Sequence, residues 1–369
     1  MMAKERLVKA AVCYETGKPL VMEEVILEPP GKGEVTIRVA ATSICHSDLH
    51  MIKGEHGPCQ MPAVAGHETS GWVEEVGEGV TYVKPGDLVI YTLETTGCGH
   101  CYYCSIGERD ICENNKITTR SPGRLRTKDG RRIYQWYGTM ATFAEYATGS
   151  ENNLVKIPPD MPVDRAALIS CGVIAGYGAV VNRAQVKPNK SVVVFGAGGV
   201  GLNAVQGSLF VGAFPIIAID INDKKLEIAK KLGATFTINA KKEDVTKRVK
   251  ELNYGRSPDY VIIGVAGIDI LRQGFLMSAK TGTTVVVGHG YGEQMSAWMP
   301  IEFCSGRVLT GSAMGAVRPR IEIPRLIELY RNGRWKLDEL ISGHYTFDRL
   351  DEALEDMSKG DTIRNVIMF

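Results

Sequence analysis

The sequence predicts an α/β protein in two parts, a β-rich first third followed by a doubly wound parallel sheet. Three observations carry this. At 369 residues the chain is too long for one compact core and suggests two domains. Short valine- and isoleucine-rich runs alternate with helical spacing beyond about residue 165, the pattern of strands buried on both faces. A glycine-rich turn, Gly196-Ala197-Gly198-Gly199-Val200-Gly201, stands between the first of those runs and a helix of small residues.

The β-rich part shows itself by alternation. Val35–Val39 alternates like a strand, and so does Gly71–Gly77, with a glycine at each end. Lys84-Pro85-Gly86-Asp87 is a turn signal leading into the apolar strand Leu88-Val89-Ile90. The second part opens with the valine-rich run Ser191–Phe195. The glycine turn, a helix and the strand Ile216–Ile219 follow, and then a helix over Lys224–Leu232 with Gly233 as its C-cap. Tyr260–Ile263 and Thr283–Val287 supply further buried strands. From about residue 315 the texture is mixed again, and no internal repeat or low-complexity tract occurs.

Gly196, Gly198 and Gly201 fill the three positions of G-x-G-x-x-G. The motif alone is weak, and its context raises it: a strand precedes, a helix follows, and Asp220 closes the next strand. Gly196 permits the tight turn, Gly198 lets backbone approach a pyrophosphate, and Gly201 lets the helix lie close on the strand. With Gly199 and Val200 they open a helix whose unpaired N–H groups and positive dipole end suit phosphates. Asp220, 19 residues beyond Gly201, is placed to accept from ribose hydroxyls and to repel a 2′-phosphate, favouring NAD over NADP. The bland alternative for Asp220 is a capping residue before Lys224.

Bulk composition narrows the class. The chain is 44% hydrophobic and 23% charged with a net charge of +1, which gives no reason to expect nucleic acid or an anionic membrane. Met1–Lys9 lacks the apolar stretch of a secretory signal, and no uninterrupted apolar run approaches a membrane span. Thiols with metal-ligand spacing then point to the cytoplasm. Residues 120–132 gather Arg120, Arg124, Arg126, Lys128, Arg131 and Arg132 against one acid, Asp129. They read as a solvated face, with an anion-contacting surface as the alternative.

Cys98, Cys101, Cys104 and Cys112 form a C-x2-C-x2-C-x7-C cluster. Thiolates packed that densely repel one another unless a cation holds them, and tetrahedral Zn²⁺ accepts four sulfurs. Disulfide staples are not needed in a chain of this size. A ferredoxin run ends in C-x3-C-P, whereas here the last gap is seven residues and Glu113 follows. Structural zinc is the expectation. Cys13, Cys59 and Cys304 show no partner pattern and read as small packing residues. His56, His100, His289 and His344 lack a constellation, and His100 reads as solvated.

Three further segments carry donor atoms: Cys45-His46-Ser47-Asp48-Leu49-His50, Gly66-His67-Glu68, and Cys171 in Ser170-Cys171-Gly172. Each taken alone is more often a buried cysteine or a satisfied histidine. Together with the four-cysteine lobe, the glycine turn, Asp220 and a closing Thr362-Ile363-Arg364, they resemble the zinc-dependent medium-chain alcohol dehydrogenases over essentially the full length.

The resemblance implies a GroES-like catalytic domain from residues 1–172 and 315–369, with the zinc lobe at about 95–113, and a Rossmann NAD-binding domain at 173–314. It implies two zincs per chain: a structural one in the lobe, and a catalytic one in a cleft on Cys45, His67 and Cys171 with its fourth position left for water or substrate. It makes Ser47 and His50 a proton relay, Asp48 the acceptor from the second nitrogen of His67, and Glu68 a group behind the metal. His46 and Arg364 fall at pyrophosphate contacts and Lys225 at the adenosine ribose. The activity implied is reversible hydride transfer between an alcohol, primary by preference, and NAD. The partners implied are a small alcohol or aldehyde and a second copy of the chain, a dimer ahead of a tetramer.

One residue is inserted before Cys98 relative to the liver-type pattern, within Tyr91–Gly97, where Leu93 lines the expected pocket and Glu94 faces solvent. A glutathione-dependent formaldehyde activity, which needs cations for the thiol adduct, and an enzyme with tightly held NAD using an external acceptor are the rival readings. A non-catalytic dinucleotide-binding relative is a third, against which the retained Cys45, His67, Cys171, Ser47 and His50 argue.

Overall fold

A computed structural model describes residues 5–55, 60–93, 96–114, 123–136, 140–288 and 299–369. His56, Cys59, Glu94, Arg120 and His289 therefore lie outside the described residues. The chain divides into two compact units. One comprises Met1–Cys171, Arg318–Leu329 and Leu340–Phe369; the other comprises Gly172–Val317 and Tyr330–Glu339.

The first unit is built on two sheets. Arg6–Cys13 and Val21–Leu27 pair antiparallel in one. The other centres on Glu34–Ser43, which pairs antiparallel with Glu68–Val76, with Tyr146–Ser150 and with Arg364–Met368. This last pairing (Val366 opposite Ser43) joins segments more than 300 positions apart in the sequence. The same register sets Ser43 opposite Glu68, so the ends of two neighbouring strands carry the chain out to the segments 45–50 and 66–68.

The second unit is a six-stranded parallel sheet. Counting from Val192–Phe195, the strands lie in the order 3-2-1-4-5-6, Val308–Gly311 being last. That is the doubly wound arrangement, whose order reverses beside the first strand, where the glycine turn begins. All four residues of Val192–Phe195 are buried, as parallel strands covered on both faces must be. Val193, Phe195, Ile217, Ile219, Val261 and Ile263 form the centre of its core. Each contributes on the order of 1.5–3 kcal/mol from burial.

Tyr330–Glu339, expected with the β-rich part, packs instead in the second unit. Trp335 is buried there, its Nε1 donating to Asn203 Oδ1 at 3.1 Å. Cys13 is buried as a packing residue, whereas Cys304 is exposed and fills no core position. The helical run Val163–Arg183 has 21 residues and is apolar enough in composition to cross a bilayer, but 89% of its most apolar window is buried within the fold.

The basic segment is a paired face. Arg124 reaches Glu34 at 2.6 Å, Arg126 reaches Glu5 at 2.6 Å, and Lys128 reaches Glu24 at 2.8 Å. Arg132 bonds Glu28, and Arg131 bonds Asp129 at 3.1 Å. These are partly or fully solvated pairs, each contributing about 0–1 kcal/mol. Leu125–Arg126 itself forms a short antiparallel ladder with Val21–Leu27.

Candidate functional site

Four donor residues converge in the first unit. The Sγ atoms of Cys45 and Cys171, a ring nitrogen of His67 and a carboxylate oxygen of Glu68 all lie within 4.8 Å of one another. Local structure aims each of them. Cys45 is the N-cap of the helix His46–Ile52, and Asp48 at the third helical position accepts from its backbone N–H at 3.0 Å, closing a capping box. His67 follows Gly66, whose φ of +91 suits glycine, and a Cβ there would stand 2.6 Å from Phe143 Cδ1. Cys171 sits in a π-helical turn, Ile169–Val173, a local widening of the helix that is frequent at functional positions.

Asp48 organises the histidine. Its Oδ1 lies 3.0 Å from His67 Nδ1 and accepts from Gly66 N at 3.1 Å. A carboxylate at Nδ1 fixes the hydrogen there and turns Nε2 towards the sulfurs as a lone-pair donor. Ser47 Oγ lies 3.5 Å from that Nε2. His50 is 39% exposed and pairs through Nδ1 with Glu55.

Arg364, expected at a pyrophosphate contact, is bonded to Glu68 in this unit. Its Nε and Nη2 donate to the two oxygens of Glu68, both at 3.1 Å, and its Nη1 donates to Ile363 O at 3.1 Å. The guanidinium is 4% exposed, and a buried carboxylate beside thiolates needs such a partner. Burial pushes the Glu68 carboxyl up, and Arg364 opposes that shift.

The thiols show what the cluster needs. A hydrogen bond from Cys171 is the largest influence on Cys45; with the nearby Arg364 charge it outweighs burial and holds the Cys45 thiol well below its ordinary value. The same bond, with burial, holds Cys171 well above. A dication neutralises two thiolates while Glu68 and Arg364 cancel one another, so the donor set fits zinc, with a neutral imidazole as third ligand.

In the lobe, the sulfurs of Cys98, Cys101, Cys104 and Cys112 also lie within 4.8 Å of one another. Cys101 and Cys112 are 3.9 Å apart. A tetrahedron with Zn–S bonds of about 2.3 Å has edges of roughly 3.8 Å. Cys98 accepts from Asn114 Nδ2 at 3.2 Å, and this bond, with a backbone N–H from His100, lowers its thiol to about 5. Burial pushes Cys112 up to about 12. Cys98 and Cys112, so unequal in acidity, do not ionise together unless a cation binds them. His100 is exposed, its Nδ1 against Cys98 O.

At the glycine turn, Gly196 has φ of +90, and a Cβ on Gly201 would stand 1.7 Å from Gly196 O. A Cβ on Gly198 meets no described protein atom within 4 Å. Protein packing therefore does not demand a glycine at 198, and the space above that residue is open. Asp220 Oδ2 accepts from Ala197 N at 2.6 Å, and Oδ1 accepts from Ile221 N and Asn222 N at 2.7 and 2.9 Å. It thus braces the turn, while Asn222 caps the next helix, Asp223–Lys231. Lys225 is buried on that helix.

Sequence reasoning missed Glu55 and Asn114. Asn114 is two residues past the last lobe cysteine, where an amide donor to sulfur was open to notice. Glu55 had no comparable signal.

Comparison with known proteins agrees with this geometry. The alcohol dehydrogenase GroES-like domain family matches residues 31–159, and the zinc-binding dehydrogenase family matches residues 199–332. An NDMA-dependent alcohol dehydrogenase of Amycolatopsis methanolica is 36% identical, covering 98% of each chain. A class-P alcohol dehydrogenase of Arabidopsis thaliana is 35% identical, covering 97% of this chain and 96% of its own. The benzyl alcohol dehydrogenase of Acinetobacter calcoaceticus superposes with a TM-score of 0.90 at 31% identity over 100% of both chains. An alcohol dehydrogenase zinc-binding domain protein of Burkholderia ambifaria gives 0.92 at 33% identity over 99% of this chain and 100% of its own. The chain belongs to the zinc-dependent medium-chain alcohol dehydrogenase family, with a GroES-like and a Rossmann unit. It is a zinc-binding oxidoreductase of alcohols.

Proposed function

We propose that the protein transfers hydride reversibly between a primary alcohol and NAD, giving the aldehyde, with Cys45, His67 and Cys171 holding a catalytic zinc and the lobe cysteines a structural one. The observation that carries it is the convergence of those three donors, with Asp48 fixing the histidine behind them. Zinc, when bound, supplies Lewis acidity towards an alcohol hydroxyl or a carbonyl. NAD, held by the glycine turn with Asp220, Lys225 and His46, supplies the hydride acceptor. Ser47, beside His67 Nε2, takes the hydroxyl proton, and His50 at the surface delivers it to solvent. Glu68 keeps its charge beside the sulfurs through Arg364.

An alcohol and aldehyde panel with NAD and NADP, read by nicotinamide absorbance alongside metal analysis, tests this. The expected result is turnover with NAD and two zincs per chain; a chain with one zinc and no turnover of any alcohol overturns it. The name of the Amycolatopsis relative favours a second reading, in which NAD stays bound and an added acceptor removes the electrons. Turnover with NDMA, without added NAD and without free NADH appearing, distinguishes that case. The glutathione-dependent reading would draw on the basic segment, whose described cations are paired with acids in weak, solvated contacts; formaldehyde oxidation compared with and without glutathione distinguishes it.

A homodimer and a cytoplasmic location belong to the same proposal. Val308–Gly311 is the terminal strand of the parallel sheet, and Val308, Ile301 and Met299 are exposed large apolar residues. Such an edge is suited to pairing with a second copy. Light scattering giving a monomer mass overturns the dimer. No disulfide joins the described cysteines, which suits a reducing compartment.

A further inference from the structure

The segment Tyr330–Glu339 leaves the first unit after Leu329, joins the second, and returns at Leu340. Its contacts are concentrated on the helix Gly199–Phe210, the one that opens at the glycine turn. Trp335 is 1% exposed and donates from Nε1 to Asn203 Oδ1 at 3.1 Å. Asn203, itself buried, donates from Nδ2 to Gly199 O in the first turn of that helix at 2.7 Å. Gln206 donates from Nε2 to Asn203 Oδ1 at 3.2 Å, which makes Asn203 the node of the network.

Gln206 also brackets a backbone residue in both directions. Its Nε2 donates to Lys336 O at 3.0 Å, and its Oε1 accepts from Lys336 N at 2.8 Å. Lys336 Nζ donates to Lys231 O at 3.2 Å, at the far end of the helix that follows Asp220. The Tyr177 ring packs edge-on against Trp335, centroids 5.6 Å apart. Two residues of an excursion thus tie together the helix that starts at the glycine turn and the helix after the ribose-side aspartate.

Simple packing does not require this chemistry. A phenylalanine fills most of the same space, and a buried polar network stabilises its surroundings only when every member is satisfied. What the network adds is direction: it ends on the carbonyl of Gly199, whose peptide lies in the turn that faces a pyrophosphate. We propose that Trp335, through Asn203 and Gln206, is a positioning residue for dinucleotide binding, holding the glycine-turn helix in its phosphate-binding attitude. This rests on the reading that the second unit binds NAD. The partners of Trp335 shown here, Asn203 and Tyr177, belong to the second unit and supply no metal donor, so its influence falls on cofactor affinity and spares the metal centres.

The test uses the full chain stripped of nucleotide and titrated with NADH by fluorescence, well below its melting temperature, with zinc measured on the same samples. Trp335→Phe keeps an aromatic ring and removes the indole donor. The expected result is an NADH dissociation constant raised about fivefold, the size of effect one buried hydrogen bond can supply, with the KM for NAD raised in parallel and kcat and zinc unchanged. A residue that only stabilises the fold lowers the melting temperature and leaves the affinity of folded molecules alone. Gln206→Met, nearly isosteric, is the second variant should Trp335→Phe not fold, and is expected to raise the constant by a similar factor. Folded variants that bind NADH like the unaltered chain overturn the inference, whereas failure of the unaltered chain itself to bind NADH overturns the NAD reading instead.

Discussion

Asp48 Oδ1 and His67 Nδ1 are 3.0 Å apart in a fully buried pair, which commits the other ring nitrogen to the two sulfurs. Asp48→Ala removes that commitment. The expected result is catalytic-zinc affinity reduced about 10- to 100-fold, with zinc content falling from two towards one per chain because the lobe keeps its own. Metal analysis after dialysis against a weak chelator checks this; a chain retaining both zincs speaks against the arrangement.

Cys104→Ser should remove the lobe metal and leave the other. The lobe is a short stretch whose buried centre is little more than its own cysteines, so the metal's binding free energy is its folding free energy. A lower unfolding midpoint and one zinc fewer are expected. Proteolysis confined to the segment around residues 98–112 gives an independent readout.

Arg364→Met leaves the Glu68 carboxylate buried and unpaired, a loss of about 3–5 kcal/mol. Burial already raises the pKa of Glu68, and Arg364 is the largest influence holding it down. In the variant the folded state therefore keeps a proton that the unfolded state releases near the usual carboxylate range. Stability is then retained at low pH and declines as pH rises through the raised value. Unfolding midpoints measured from pH 5 to 9 should fall with pH more steeply than in the unaltered chain. Adding Glu68→Gln should recover much of the loss, because the pair is coupled.

Asp220→Ala should lower the preference for NAD over NADP by about tenfold or more, since the carboxylate that repels a 2′-phosphate is gone. It also removes the acceptor of Ala197 N, so affinity for both cofactors should weaken. Paired titrations with NADH and NADPH separate the two effects.

His46→Arg replaces a partly charged ring by a permanent cation at the start of the helix His46–Ile52. NADH release should slow by about tenfold if this position meets the pyrophosphate. Stopped-flow release rates that do not change remove His46 from the cofactor site.

Much of the candidate site was legible because its chemistry is local. Four cysteines within one turn-rich stretch, a glycine fingerprint between a strand and a helix, and a valine run each announce themselves through spacing or period. Arg364 was not legible in the same way: its partner Glu68 lies 296 positions away, and no local pattern links the two. The same holds for the basic segment, whose acids come from Glu5, Glu24, Glu28 and Glu34. Its charge was plain in the sequence, and its neutralisation depended on tertiary pairing. Trp335 lies in a stretch whose sequence is only mixed in texture, and hydrogen-bond networks leave no periodicity to mark it.

The late strand Arg364–Met368 has a consequence for biosynthesis. It supplies both a ladder to Glu34–Ser43 and the counter-charge for Glu68. A ribosome has to finish translating these residues before the first unit can close its sheet or neutralise its buried acid. The parallel sheet, complete by Gly311, has all its strands made earlier. Vectorial synthesis therefore leaves the metal-binding unit to close its sheet after every described strand of the parallel sheet has been made.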